Sequence, residues 1–177
     1  LELGHETDFA LDVGCGFGGY TKIVESVSKF VVGVDIKDAF DKRKISPKLD
    51  FCQADGYSLP FKSESFDAII LMDVIEHVNN DYNFLLEIKR ILRNSGFLVL
   101  QTPNKDRLSN RVKKVIGKPV KYPYCLRNDS IAGKVVHLRE YSKYEIYELL
   151  EKVGFKHVFV RGVWLGLWGK NMIGLTC

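Results

Sequence analysis

The stretch Ala10-Leu11-Asp12-Val13-Gly14-Cys15-Gly16-Phe17-Gly18-Gly19-Tyr20 constrains this chain more than any other. An apolar run that reads as a buried strand ends in a loop with glycine at 14, 16, 18 and 19, and a helical pattern begins at once. Glycine has no Cβ and adopts positive φ freely, so such a loop lets backbone come close to a ligand. It also aims the N–H groups and positive dipole end of the next helix at whatever sits there. The arrangement is that of a nucleotide-type site. Two templates fit it. Gly14, Gly16 and Gly19 satisfy G-x-G-x-x-G, with Asp35 about 20 residues on as a ribose-binding acid. Gly14, Gly16 and Gly18 satisfy G-x-G-x-G equally well, so the glycines alone leave the choice open.

The rest of the chain extends the alternation of strand and helix. Residues 8–13 predict a first strand, and Tyr20 to Ser28 a helix with Ile23, Val24 and Val27 on one face. Residues 30–35 predict a second strand ending in an acid, 37–44 a short helix, and 49–53 a third strand closed by Ala54-Asp55-Gly56. Residues 66–72 form a nearly continuous apolar run, as a strand buried on both faces should. Asp81 to Arg93 carries Phe84, Leu85, Ile88, Ile91 and Leu92 at helical spacing. Asn94-Ser95-Gly96 is expected to stop that helix before a fifth strand at 97–101. This βαβ alternation predicts a parallel sheet with helices on both faces. It then breaks: 104–136 reads as an inserted helix at about 106–116 plus a loop. Ser142 and Glu145 make a capping box for a helix that Gly154 ends. Strands at 155–163 and 172–177 follow, with a linker at 164–171 too short for a crossover helix, so this last pair should be antiparallel. The expected fold is α/β: a Rossmann-like, seven-stranded, mostly parallel sheet with its last strand antiparallel.

Length and composition fit one soluble globular domain spanning 1–177, with a core able to bury itself fully. No apolar run reaches a membrane span of about 18 residues. The first residues lack the layout of a signal peptide and an initiator Met, which predicts a processed or trimmed chain. Cys15, Cys52, Cys125 and Cys177 are scattered, with no C-x-x-C, which suits a reducing cytoplasm and neither a disulfide framework nor structural zinc. The net charge of +4 is unevenly spread. Residues 104–128 hold Lys105, Arg107, Arg111, Lys113, Lys114, Lys118, Lys121 and Arg127 against Asp106 alone. Basic character is therefore confined to one segment, and a nucleic-acid surface over the whole domain is not indicated.

Three features discriminate between the templates. Asp12, two residues before Gly14, suits a cationic ligand and would repel a pyrophosphate. Asp55 closes the third strand where it could accept from an exocyclic amine such as that of adenine. The chain has no length left for a dehydrogenase's substrate domain. Leu-Asp-Val-Gly-Cys-Gly-Phe-Gly at 11–18, Gly-Val-Asp at 33–35, Phe-Asp-Ala-Ile-Ile-Leu-Met-Asp-Val-Ile-Glu-His-Val at 66–78 and Ile-Lys-Arg-Ile-Leu-Arg-Asn-Ser-Gly-Phe-Leu-Val-Leu-Gln-Thr-Pro-Asn at 88–104 together resemble the class I S-adenosylmethionine-dependent methyltransferases, small-molecule-type branch. The resemblance is dense over 8–103 and looser over 137–177.

The resemblance implies S-adenosyl-L-methionine as cofactor, and roles by position. Asp12 with Gly14, Cys15, Gly16 and Gly18 would hold its methionine part, Asp35 its ribose hydroxyls. Ile36 would pack on adenine, and Asp55 would bind the adenine amine, with Ala54 and Gly56 beside it. Met72 and Asp73 would flank the methionine moiety. It also implies a cofactor-binding core at 8–103, a basic substrate or lid segment at 104–141, and a C-terminal helix and hairpin at 142–177. Family members often carry a helix before the first strand; its lack here would leave part of the substrate lid outside this chain.

The reaction implied is in-line displacement at the sulfonium methyl, which depends on holding nucleophile and methyl close and aligned. A general base is needed only where the acceptor must lose a proton. Candidate catalytic residues near the strand ends are His77, His137 and Tyr141, with Asp73 beside them. Each histidine has a plain structural alternative, pinning a loop or a helix start. No acid cluster has divalent-metal spacing, so no metal is expected. The expected acceptor is a small or lipid-like molecule, methylated at oxygen. The basic segment would suit an anionic acceptor or rest on a membrane surface through Val112, Val115 and Ile116. Trp164, Leu165, Leu167 and Trp168 read as an aromatic-apolar turn. A nucleic-acid methyltransferase, a nicotinamide-binding oxidoreductase and a non-catalytic binding protein are the alternatives. The first lacks an Asn/Asp-Pro-Pro-aromatic motif at 72–75; the second has no use for Asp12 and Asp55.

Overall fold

The computed structural model describes residues 7–129, 133–165 and 168–176. Five parallel strands form the centre: β1 (Thr7–Val13), β2 (Ser28–Asp35), β3 (Leu49–Gln53), β4 (Phe66–Met72) and β5 (Leu92–Pro103). They lie in the order β3-β2-β1-β4-β5. Two strands near the chain's end, β8 (Lys156–Leu165) and β9 (Trp168–Thr176), extend the same sheet to β3-β2-β1-β4-β5-β9-β8. β9 runs antiparallel to both β5 and β8, as the short connection requires. The linker expected at 164–171 is thus mostly strand: Trp164 pairs with Gly169 and Leu165 with Trp168, and Leu167 lies outside the described residues.

Alternation along the strands divides the core into two layers. Leu11, Val13, Ile69, Leu71, Leu98 and Leu100 face the helices α2 (Asp81–Ile91) and α4 (Lys143–Val153), and pack on Phe84, Leu85, Ile88, Ile146 and Leu150. Ala10, Ala68, Val31 and Leu49 face the other way, towards Phe40 and helix α1 (Gly19–Glu25). Such double-sided burial is what the apolar run at 66–72 foretells. The capping box at α4 is formed in both directions: Ser142 Oγ accepts from Glu145 N–H at 3.2 Å, and Glu145 Oε2 accepts from Ser142 N–H at 2.7 Å. Gly154 ends the helix at φ 92°.

Four expectations are corrected. α1 stops at Glu25, and Ile23 and Val27 are exposed, because its inward anchor is Thr21 rather than an apolar stripe. Residues 37–44 hold only a 3-10 turn at Lys42–Lys44. Asn94-Ser95-Gly96 lies inside β5, which begins directly after α2. Within 104–136 the helix α3 (Leu108–Val115) is present, but the expected loop contains a two-stranded ribbon, β6 (Tyr124–Asp129) paired with β7 (Gly133–His137). Among the described residues, no helix is long and apolar enough to cross a membrane.

Candidate active site

In the order β3-β2-β1-β4-β5 the chain leaves β1 in opposite directions, which opens a crevice at the carboxyl ends of β1 and β4. A cavity of about 620 Å³ lies there. Its walls come from residues at the ends of four of the five parallel strands: Gly14 after β1, Asp35 and Ile36 at the end of β2, Ala54-Asp55-Gly56 after β3, and Asp73 after β4. His77 stands at one side, and Val135, Val136 and Leu138 of the inserted segment close over it.

The loop at 14–18 is held from below. Asp12 is 1% exposed and accepts from Thr21 Oγ1 at 2.6 Å, tying the end of β1 to α1. Burial pushes its pKa up to about 6, and the nearby Asp35 charge adds to the shift. Cys15 points into the layer under Gly33, where burial and the charges of Asp12 and Asp35 raise its pKa. Gly14, Gly16 and Gly18 all have positive φ, whereas Gly19 does not and opens α1. The loop therefore follows G-x-G-x-G, and Gly19 is incidental to it. At Gly14 the demand is also steric, since a Cβ would lie 2.4 Å from Val74 Cγ2.

Asp35 is bonded on both oxygens by backbone: Gly16 N–H donates to Oδ2 and Lys37 N–H to Oδ1, each at 2.9 Å. It fastens the glycine loop to the end of β2 while lining the cavity. Asp55 likewise caps its own turn, accepting from Tyr57 N–H at 3.0 Å. Of the residues singled out in the sequence, Gly14, Asp35, Ile36, Ala54, Asp55, Gly56, Asp73 and His77 line the cavity. Asp12, Cys15, Gly16, Gly18 and Met72 are not among the residues that line it. Asp73 has φ 57°, rare for a residue with a side chain, and its N–H donates to Gln101 O at 2.9 Å.

The part of the site at the turn after β4 was only partly foreseen. Glu76 follows β4 in the 3-10 turn Ile75–His77 and is completely buried. Its Oε2 accepts from Thr102 Oγ1 at 2.9 Å, while its Oε1 has no hydrogen-bond partner. Burial first, and then the Asp73 charge, push its pKa up to about 7. His77 Nδ1 donates to Val136 O at 2.7 Å, which fixes the tautomer, and burial lowers the pKa of the ring. His137 is buried with its ring 4.9 Å from that of His77. The sequence signal for Glu76 was present, an acid inside the apolar run Val74-Ile75-Glu76-His77-Val78, but nothing local marked it as functional. The expectation that no metal site exists does not account for this grouping of Glu76, His77 and His137. Tyr141 is corrected: it is buried away from the cavity, its hydroxyl donating to Asp81 Oδ2 at 2.8 Å, and burial raises its pKa.

A family profile described as a methyltransferase domain matches residues 11–100. The chain belongs to this family, the class I S-adenosylmethionine-dependent methyltransferases. A probable S-adenosylmethionine-dependent methyltransferase of Mycobacterium tuberculosis is 29% identical over 158 residues, covering 88% of this chain and 52% of that protein. The mitochondrial ubiquinone biosynthesis O-methyltransferase of Rattus norvegicus is 36% identical over 110 residues, covering 56% of this chain and 32% of that protein. This methyltransferase chain thus spans about half or less of the length of these relatives. In fold it is similar to a solved S-adenosylmethionine-dependent methyltransferase of Methanosarcina mazei, with TM-score 0.71 at 20% identity over 97% of this chain and 93% of that one. The family assignment sets aside the nicotinamide alternative.

Proposed function

We propose that this methyltransferase carries the methyl group of S-adenosylmethionine to an oxygen atom of a small-molecule acceptor. The observation that supports the reading is one cavity joining a cofactor end, Gly14, Asp35 and Asp55, to His77, a group that can accept a proton and has the buried Glu76 behind it. The cofactor end fits the group. Gly14 leaves the space a Cβ would fill, Asp35 presents a carboxylate for ribose hydroxyls, Ile36 offers an exposed apolar side chain for adenine, and Asp55 an acceptor for its amine. Asp12 acts from beneath: its ionised form is favoured by a cation over Gly14. When bound, the cofactor supplies an electrophilic sulfonium methyl.

The chain's own residues then orient the acceptor and handle its proton. Val135, Val136 and Leu138 close the cavity from the inserted side and exclude water. A hydroxyl must lose its proton as its oxygen attacks. His77, which lines the cavity and is uncharged near neutral pH with a lone pair on Nε2, can accept it, and the buried Glu76 carboxyl stands 4.0 Å behind that nitrogen. The match to the rat O-methyltransferase supports oxygen and a small acceptor. Exposed Lys113, Lys114, Lys118 and Lys121 on and after α3 favour an anionic one. Cys15 and Cys52 are free thiols, in keeping with a reducing cytoplasm.

Thermal shift with S-adenosylmethionine, S-adenosylhomocysteine and NAD tests the cofactor. The first two should raise Tm, and a rise with NAD alone would overturn the reading. Asp35→Ala should abolish the shift, since each hydrogen bond to a charged group contributes about 1.5–3 kcal/mol. Transfer of labelled methyl into a fractionated cell extract should mark an oxygen of a small molecule; label only in nucleic acid or protein would overturn the acceptor class.

A further inference from the structure

We propose that Glu76, His77 and His137 form a binding site for one divalent first-row transition ion at the acceptor end of the cavity. One ligand atom from each residue lies within 4.8 Å of the others. Metal bonds of about 2.0–2.2 Å put neighbouring ligand atoms roughly 3–4 Å apart, so the triangle needs to close by about an ångström or less. Glu76 Oε1 stands 4.0 Å from His77 Nε2, too far for a hydrogen bond. It is a fully buried carboxylate oxygen without a partner, an arrangement that costs free energy unless something cationic satisfies it.

Each of the three side chains is held through the atom it would not use. Thr102 Oγ1 donates to Glu76 Oε2 and leaves Oε1. His77 Nδ1 donates to Val136 O and leaves Nε2. His137 Nδ1 is engaged by Tyr124 Oη at 3.0 Å and Glu140 Oε1 at 3.4 Å, and leaves Nε2. Carbonyl and carboxylate partners behind ligating histidines are what orients them and raises their basicity in metal sites. Two imidazoles and one carboxylate select a transition ion over magnesium or calcium, which prefer oxygen ligands.

Three protein ligands leave coordination positions open. Glu76 and His137 are buried, whereas His77 and the neighbouring Asp73 line the cavity, so the open side faces the acceptor. The ion would bind the lone pairs that otherwise accept a proton, and it would hold an acceptor oxygen and lower the pKa of its hydroxyl. That consequence rests on the methyl-transfer reading; the binding of the ion does not.

Protein stripped with chelator is titrated separately with Co2+, Zn2+, Mn2+ and Mg2+ by calorimetry, with visible absorption recorded for Co2+. The expected result is one ion per chain, d–d bands of mixed nitrogen and oxygen ligation, and a preference for the transition ions over Mg2+. Glu76→Gln, which keeps an acceptor for Thr102, and His77→Asn should each weaken Co2+ binding by at least about tenfold. Their thermal shift with S-adenosylhomocysteine, retained, shows that the fold and the cofactor end are intact. Absence of binding, unchanged affinity in both variants, or tighter Mg2+ than Co2+ would overturn the site. Metal binding without any S-adenosylhomocysteine shift would instead count against the methyl-transfer reading alone.

Discussion

The glycine loop separates residues that the sequence treats alike. Gly18 has φ 76°, and a Cβ there would lie 2.2 Å from the Phe40 ring. Gly16 has φ 49° with open space around it, and Gly19 has neither constraint. Gly18→Ala should therefore cost roughly 2–4 kcal/mol from the left-handed backbone and overpacking together. Gly16→Ala should cost only the backbone part, about 1–2 kcal/mol, and Gly19→Ala should be neutral or stabilising by up to about 1 kcal/mol. Urea denaturation of the three variants checks the order, and equal losses would refute the geometry. Asp12 gives a pH signature. Its folded pKa of about 6 exceeds an unfolded value near 3.9, so the folded state holds the proton longer. Stability from this group is thus full below about pH 4, falls as pH rises to about 6, and is flat above. Asp12→Asn keeps an acceptor for Thr21 and does not ionise. It should gain unfolding free energy relative to wild type progressively across that window, by on the order of 2–3 kcal/mol as read by urea denaturation at each pH, while losing affinity for the cofactor.

At the scale of elements, one buried carboxylate organises the inserted segment. Glu140 accepts from Arg107 Nη1 at 2.6 Å, Asn110 Nδ2 at 3.1 Å, and the Tyr122 and Tyr124 hydroxyls at 2.8 Å each. Burial would raise its pKa, but the bonds from His137, Arg107, Tyr122 and Tyr124 outweigh that and hold it at about 2. α3 has no buried residue of its own, and Arg107 at its start and Asn110 within it both bond to Glu140. Arg107→Met should leave that buried charge short of donors at a cost of about 3–5 kcal/mol. Hydrogen exchange should rise across α3 and the β6/β7 ribbon and stay unchanged in α2. Protection lost uniformly would show that the segment is not separately anchored. Ser142→Ala, by contrast, removes one half of a local capping box and should cost about 1 kcal/mol, read as a shift in the urea midpoint with unchanged slope.

Across the whole molecule, core and cavity share a side chain. Phe84 is 2% exposed within the α2 layer, yet its ring reaches the cavity wall beneath Gly56 and meets Tyr57 edge-on at 5.7 Å between centroids. Phe84→Ala should lose about 3–5 kcal/mol of stability and weaken cofactor binding at the same time. Saturating S-adenosylhomocysteine should then recover less Tm than in wild type; a full recovery would mean that the cofactor end is indifferent to the ring.

The sequence by itself determined the alternation of strands and helices and the carboxyl-end acids Asp35, Asp55 and Asp73, because these are written in local periodicity and short spacings; the cofactor class came from the family resemblance that the motifs carry together. It also fixed the α4 cap at Ser142 and Glu145, whose partners are three residues apart. It did not separate Gly18 from Gly19, since only the position of Phe40 and the sign of φ do so. It missed the β6/β7 ribbon, since Pro119 and Pro123 just before it read as loop and Tyr124–Asp129 carries no clear strand period. It placed Tyr141 near the chemistry, although a contact with Asp81, 60 residues away, commits its hydroxyl to structure. Only the tertiary structure brought Glu76 and His77 to within reach of His137. Leu138 N–H donates to Glu76 O and His77 to Val136 O, and these two long-range bonds dock the end of the inserted segment on the turn after β4. The glycine loop is local; the corner of Glu76, His77 and His137 is assembled across the fold, and no local spacing encodes it.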